Sequence, residues 1–592
     1  AAEYRFFHWH LEFPEIFTVT GDSPDVGPEG WSGGFHCLLG NPPWEHTELK
    51  EQEFFAARDP DIAVAAGATR KQLIKRLPDT DPALWALFSA AKRQADGTSA
   101  LARLSGRFPL TGRGRINTYA IFAETFRSLL GDHGRCGCIV PTGIATDATT
   151  QYFFRDLVES RSLAALYDFE NAAPIFEGVH RSFKFALLTV TGRCDPEPAA
   201  HFAFFLHDPA LIETASFSLT PEEILLLNPN TGTCPVFRTR RDAEITLGIY
   251  RRVPVLLKEG DPNGNPWGVS FMQGLFNMTS DSDLFHTRDE LEAAGWYLDG
   301  NVFIYGKKRM LPLFEAKMIH HYDHRWGTYD GTDIRDVALE EKQDPNFVVL
   351  PRYWVDEWDV NERLAGHWNK DWLLGWRDIC RSTDERTLIA TMFPRGAVGN
   401  KIPLMLGPSE RRWLLAATLS SFVCDFTARQ KIGGTTMNYY LLMQLPTLAP
   451  DAFECDAPWD LQTSLPDWLS LRVIELTCTS SDMRGLGQDL GGEEPHYWDD
   501  ERRSSLKAEL DAAFFHLYGI ERRNAAYILD TFPIVKRKDE AKYGEYRTKR
   551  LILEVYDRIA EAIRPGAPYQ TILDPPPGQG LRHPAKQVVD EA

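Results

Sequence analysis

The chain has little that would place it in a membrane or in a disulfide- or zinc-stapled class. No run approaches the ~20 apolar residues a bilayer span needs, in keeping with a mean hydropathy of −0.31. Nine cysteines are scattered through 592 residues without a CxxC pair, and the nearest two, Cys136 and Cys138, sit in an apolar, strand-like run. Buried thiols of a reducing, cytoplasmic protein are expected, and neither a disulfide framework nor a zinc ladder. There is no HExxH; His320, His321, Asp323 and His324 form the one His/Asp cluster, and without a second cluster a structural role and no metal are expected. The opening residues lack the basic flank and apolar stretch of a signal peptide, and they lack an initiator Met.

What is present is a folded chain too long for one domain. Hydrophobic residues at 43% and charged residues at 25% exclude wholesale disorder. A net charge of −19 argues at first against a polyanionic partner. Its distribution weakens that argument, because thirteen acids against Arg472 and Arg484 leave −11 within 451–501 alone. A phosphate backbone responds to the field within about a Debye length, ~8–10 Å, so basic clusters elsewhere keep nucleic acid open.

Along the chain, GGFHCLLG reads as a short apolar strand ending at Gly40, because Asn41-Pro42-Pro43-Trp44 cannot continue a ladder. Helical texture covers 51–59, 70–77 and 82–95. Apolar spacing of three to four predicts a helix over 117–130, followed by a strand at 135–141, a helix at 151–160, and strands at 163–169 and 183–191. This alternation predicts an open α/β sheet, in which ligands bind beyond the carboxyl ends of the strands. Phe35 and Phe169 are expected to be core. From about 226 to 450 the texture is α+β, rich in Trp, Tyr and Gly with interleaved cations. An acidic stretch and a helical tail (500–518, 548–563) complete 451–592. Within it, the Gly485–Gly492 run GLGQDLGG has no preceding strand and no Lys-Ser/Thr after it, so a linker turn is expected and not a phosphate loop.

The turn Asn41-Pro42-Pro43-Trp44 carries the chemistry. An aromatic amine such as adenine N6 is a poor nucleophile because its lone pair is delocalised into the ring. Two acceptors aimed at its N–H groups, the Asn41 side-chain oxygen and the Pro42 carbonyl, would free that pair. Trp44 could stack on a base flipped from its duplex. A rigid turn whose Asn caps a helix is the other reading of these four residues.

The residues around this turn extend the pattern. FHWHLEFPEIF (7–17), GFHCLLGNPPWE (34–45), the run 103–130, GRCGCIVPTGIATD (134–147), LYDFENAAPIF (166–176) and FKFALLTV (183–190) resemble the catalytic region of large adenine-N6 DNA methyltransferases. Such enzymes occur in type IIG restriction-modification systems and among BREX and DISARM phage-defence methylases. Segments 228–245, 312–325, 428–446 and 530–553 resemble the same family's target-recognition and closing segments. The resemblance implies a site-specific methyltransferase acting on double-stranded DNA with S-adenosylmethionine as donor. It implies a Rossmann-like class I methyltransferase sheet, of which this chain carries the carboxyl-terminal half (1–225), then an α+β target-recognition region (226–450) and an acidic linker with a helical tail. The family's donor-binding Gly loop lies upstream of the catalytic turn. Gly30, Gly33 and Gly34 lack its spacing, so an upstream methyltransferase portion or subunit is expected as a partner, with other phage-defence proteins as further ones. A non-catalytic recognition module with a relic turn is the alternative, and an RNA or protein amine could share the chemistry of the turn.

For DNA contact, Arg238, Arg240, Arg241, Arg251 and Arg252 are candidates for the phosphates. Arg325, Arg377, Arg381, Arg395 and Lys401 are candidates for base edges or backbone. Arg429 and Lys431, beside Gly433 and Gly434, are candidates for a close backbone approach.

Overall fold

The computed structural model describes residues 7–19, 30–172, 175–181, 183–407, 410–492, 494–564 and 568–584. Glu493 of the acidic stretch lies outside them. The chain divides into two compact units, Ala1–Ala243 and Glu244–Ala592. Among the described residues no helix is long and apolar enough to cross a membrane.

The first unit is built on one mixed sheet: β1 (Phe35–Gly40), β2 (Leu130–Val140), β3 (Leu163–Glu170), β4 (Lys184–Thr191), β5 (Ala200–Leu206) and β6 (Phe217–Leu219), in the order β1-β2-β4-β3-β5-β6. β1 and β2 are parallel, as are β3 and β5; β4 runs antiparallel between β2 and β3. The carboxyl ends of β1, β2, β3 and β5 therefore share one edge with the start of β4. The inner strands are buried on both faces, as their continuous apolar runs require. β1 is different. It pairs only with β2, and no described strand lines its other side; Leu39, on one face of the strand, is 83% exposed.

Helix α1 (Pro82–Leu104) starts on an Asp81 cap, with its side chain accepting from the Leu84 N–H at 3.0 Å. It packs in a separate cluster with Phe55, Ile74 and Leu77. Helix α2 (Thr118–Ser128) is capped by Asn117, whose side chain accepts from the Tyr119 N–H at 3.3 Å. It ends two residues before the position expected, because Leu130 and Gly131 already belong to β2. Helix α3 (Gln151–Glu159) buries Phe153, Phe154, Leu157 and Val158 on one face. Helix α4 spans Arg240–Tyr250.

Gly34, at the entry to β1, has φ +146°, and a Cβ there would meet the Leu130 carbonyl carbon at 2.5 Å and the Gly131 Cα at 2.7 Å. Only glycine admits this approach of backbone to backbone. Gly33 is similarly filled, by the Ile16 carbonyl. Gly34 serves the packing of β1 on β2, and Gly33 the approach of the chain to Ile16.

Besides two two-stranded sheets, the described residues of the second unit form two larger ones. Strand β7 (Ser270–Met272) belongs to one of them. Strands β8 (Tyr297–Asp299), β9 (Val302–Tyr305), β10 (Lys308–Phe314) and β11 (Trp354–Asp356) form the other, and a short β14 (Ala397–Val398) joins β10. The first of these sheets runs β13-β12-β15-β7, with β12 (Trp372–Trp376), β13 (Ala390–Pro394) and β15 (Leu404–Leu406). Helices α5 (Arg412–Ser420) and α6 (Phe422–Arg429) are buried at every position.

The stretch expected to be an acidic linker is packed. Helix α7 (Leu465–Thr477) buries nine residues, and GLGQDLGG forms helix α8 (Arg484–Asp489) and its close. Gly492 is pressed against Ile474, whose Cδ1 a Cβ would strike; the glycines allow close packing, and this replaces the reading as a linker turn. Helices α9 (Asp500–Leu517), α10 (Arg522–Asp530), α11 (Pro533–Tyr543) and α12 (Arg547–Ile563) complete the unit.

Candidate functional site

The Asn41–Trp44 turn leaves the sheet at the shared carboxyl edge. Thr118, the first residue of α2, holds it from one side. The Thr118 hydroxyl donates to the Pro43 carbonyl at 2.6 Å and accepts the Glu45 N–H at 3.0 Å, while the Thr118 N–H donates to the Glu45 carbonyl at 2.8 Å. The chain then crosses Asn117 through a bridge at His46. Beneath the turn Gly40 lies against the Phe126 ring of α2, 2.8 Å from where a Cβ would stand. Pro42 is buried and Pro43 exposed, so the two rings fix the backbone between core and solvent.

The polar groups of the turn are left open. Asn41 is exposed, and no described residue hydrogen-bonds its side chain or the Pro42 carbonyl. The reading of Asn41 as a helix cap finds no bond here, since Asn117 caps α2. Trp44 packs on the cluster of Phe169, Phe185, Ala203 and Leu206, and its indole N–H is buried without a partner. Phe169 is core, stacked on Phe185 at 5.2 Å. Phe35 is half-buried, edge-on to Phe17 at 5.2 Å.

Further along the same edge lies a polar clamp. Asp168, almost fully buried at the end of β3, accepts the Phe205 N–H at 3.1 Å and the Thr142 hydroxyl. Burial pushes its carboxyl up, against the pull of these two hydrogen bonds. Phe205 is held at φ +57°, and Lys184 and Arg238 lie over its ring at 4.8 and 4.0 Å. Glu170 pairs with Lys184 at 2.9 Å and with His207 at 3.1 Å. Four strand spacings separate β1 from β5, roughly 19 Å at ~4.8 Å each. Between them Phe176 and Phe183 are exposed at 39% and 51%.

No protein-family model matches the chain, and no curated protein matches it. Among solved structures it is similar to the type IIL restriction-modification enzyme MmeI in complex with DNA, at 11% identity over 84% of this chain and 57% of that one, with a TM-score of 0.39. It is also similar to the type IIG restriction endonuclease BpuSI, at 14% identity over 82% and 54%, TM-score 0.26. A nuclease-deletion mutant of the type ISP restriction-modification enzyme LlaGI, in complex with a DNA substrate mimic, gives 9% identity over 70% and 41%, TM-score 0.30. These neighbours are restriction-modification enzymes. The chain spans little more than half the length of the first two. At such scores the likenesses carry no argument; the geometry of the turn does.

The cations expected to meet DNA divide by burial. In the first unit Arg238, Arg240 and Arg241 are exposed, and in the second unit so are Arg251 and Arg252. Arg429 and Lys431 are not presented to a phosphate. Arg429 donates to the carbonyls of Thr531 at 2.9 Å and Glu385 at 3.0 Å and lies on the Phe532 ring at 3.9 Å. Lys431 is buried over the Tyr250 ring at 4.9 Å, and burial pulls its ammonium well below the usual range. Arg429 is the last residue of the fully buried α6 and Lys431 follows two residues later, and both lie inside the second unit. Of the neighbouring glycines, Gly433 is half-buried and Gly434 exposed with open space around it.

Arg325 is fully buried, spending its guanidinium on the carbonyls of Lys342, Asp344, Phe347 and Thr479 at 2.7–3.1 Å. Arg377 donates to the Ile319 carbonyl at 2.8 Å, Arg395 to Asn361 at 2.9 Å, and Lys401 pairs with Asp378 at 3.1 Å. Arg381 is exposed. The His/Asp cluster is split among other partners: His324 meets Asp482 at 3.1 Å, and Asp323 meets Lys342 at 2.6 Å.

Thr118, Asp168 and Phe205 were invisible to motif reading. Only the start of a helix marks Thr118, and neither Asp168 nor the left-handed Phe205 stands out from its apolar strand.

Proposed function

We propose that this chain supplies the catalytic turn and the recognition region of a DNA methyltransferase that modifies adenine N6 within a restriction-modification or phage-defence system. The observation that carries the reading is the open Asn41 side chain beside an unclaimed Pro42 carbonyl, on a backbone braced by Thr118. Two acceptors fixed side by side can take both N–H groups of an exocyclic amine and concentrate the lone pair on nitrogen. Positioning and electrostatics then do the work, with no covalent intermediate; no residue is assigned as general base, and the proton that N6 sheds passes to water. Trp44, Phe176 and Phe183 offer aromatic surface at the same edge, against which an extruded base can rest.

The methyl donor is another matter. Gly33 and Gly34 are filled by the chain's own backbone, and with Gly30 they lack the spacing of a donor-binding loop. The reading therefore includes an upstream donor-binding portion as partner. The isolated chain is expected to give no micromolar calorimetric titration with S-adenosylmethionine, and a clear one would overturn this division of labour. The same absence favours the second reading, a recognition module with a relic turn. Labelled-methyl transfer to duplex DNA by the chain joined with its upstream portion separates the two. Label recovered in N6-methyladenine supports the enzyme; a completed protein without activity leaves the module.

For recognition, the exposed Arg238, Arg240 and Arg241 are assigned to phosphates. Replacing all three by alanine is expected to weaken binding evenly across DNA sequences and to lower the slope of log K against log salt by roughly one per arginine. Fluorescence anisotropy at several salt concentrations measures this, and an unchanged slope would remove them from the interface.

A further inference from the structure

The second unit encloses a cavity of about 230 Å³, bounded by the His320–Tyr322 turn, the start of α6, one face of α9, and α11 and α12. Most charged groups in its wall are already engaged. Arg386 pairs with Asp425 at 2.6 Å and donates to the Ser420 carbonyl at 2.7 Å. Asp511 accepts the Phe422 N–H at 2.8 Å, and Asp539 accepts the Thr548 N–H at 2.6 Å. Glu385 pairs with Lys538, and Arg547 with Glu501. Two groups stand apart. The Lys507 ammonium has no hydrogen bond or ion pair among the described residues, and the Nε2 of His321, a residue only 5% exposed, is buried without a partner. Both line the cavity.

Lys507 is half-buried; a cation partly withdrawn from water without a paired counter-charge is costly, and so is a buried ring nitrogen without a partner. Burial, then the Arg503 guanidinium, pull the Lys507 ammonium down to about 7, against the opposing field of Asp323. Burial likewise holds His321 neutral, with its pKa well below the usual range, and its ring also meets the Leu388 backbone. In a neutral ring that donates to a backbone carbonyl through Nδ1, Nε2 is an acceptor. What satisfies both groups is therefore compact, negatively charged toward Lys507, and equipped with a hydroxyl for Nε2. A hydrogen phosphate group has all three properties, whereas a carboxylate lacks the hydroxyl.

We propose that this cavity binds a small phosphate group between the Lys507 ammonium and the His321 ring. The site lies within the second unit and does not depend on the methyl-transfer reading.

The test uses the full chain and isothermal titration with inorganic phosphate and with acetate, at an ionic strength held constant with chloride. Saturable one-to-one binding of phosphate is expected, weakened about tenfold or more, near 1.4 kcal/mol, in Lys507→Met and retained in Lys507→Arg. Acetate should bind more weakly than phosphate; equal affinity would overturn the choice of phosphate. Lys507→Met removes a half-buried, unpaired charge and should fold; a melting curve verifies this. His321→Gln, which keeps an acceptor, should bind phosphate better than His321→Ala. Absence of saturable phosphate binding in the unmodified chain, or equal binding in Lys507→Met, would overturn the proposal.

Discussion

Asn41→Ala is expected to lower methyl transfer by the completed protein by ~10²–10³-fold, the usual consequence of deleting one preorganised polar group from a reacting centre, while the fold and DNA affinity stay as they are. The separation of effects follows from the geometry. The Asn41 side chain is exposed and bonds no described residue, so its removal orphans nothing in the protein. The brace on the turn is made by Thr118 through Pro43 and Glu45 and survives the change. The loss should therefore fall on kcat, with the melting temperature and the DNA dissociation constant unmoved. Single-turnover transfer of labelled methyl to duplex DNA, beside a binding titration, measures both. Retained activity in the variant would remove the turn from the chemistry. Trp44→Ala is a poorer probe, because Trp44 also packs on the Phe169–Phe185 cluster and its loss mixes folding with catalysis.

Glu509→Ala is expected to destabilise the second unit by about 3–5 kcal/mol, the range for removing one partner of a buried ion pair. Glu509 is fully buried on α9. One oxygen meets Arg472 of α7 at 2.6–2.7 Å; the other accepts from the Tyr569 hydroxyl at 2.7 Å, the Thr571 hydroxyl at 2.5 Å and the Ile572 N–H at 3.0 Å. Alanine leaves the Arg472 guanidinium inside, against the Trp468 ring at 3.2 Å, with three donors unanswered. The double replacement Glu509→Leu with Arg472→Met removes both charges and should recover the part of the loss due to the unpaired guanidinium. Urea unfolding of the three proteins tests this. A single variant within about 1 kcal/mol of the parent would show the pair to be incidental.

The sheet was partly legible in the sequence. The proline stop after Gly40, the period of α2 and the apolar runs of β2, β3 and β4 are local signals, and the structure keeps these elements within a few residues. Strand order was not legible. Nothing in FKFALLTV states that it runs antiparallel between β2 and β3, because period and composition are the same for either direction. Strands β5 and β6 carry weaker signals: HFAFFL is a short apolar run that suits a buried helix segment equally, and FSL is too short to show a period. In the second unit charge misled. Arg429, Lys431 and Arg325 look like surface cations, yet their partners include carbonyls and aromatic rings distant in sequence, such as Thr531, Phe532 and Thr479. Only the assembled fold brings those together. The glycines of 485–492 misled in the same way, because a residue without a side chain suits a tight turn and a tight interior equally.

The one-sided pairing of β1 has a colloidal consequence. An extended segment whose outer N–H and C=O groups meet no described strand, beside the exposed Leu39, is a template onto which another chain can add. During purification this border of the sheet, and not the acidic stretch with its concentrated negative charge, is where self-association would begin. A lysine introduced at position 39 would act as a gatekeeper there without touching the Asn41 turn.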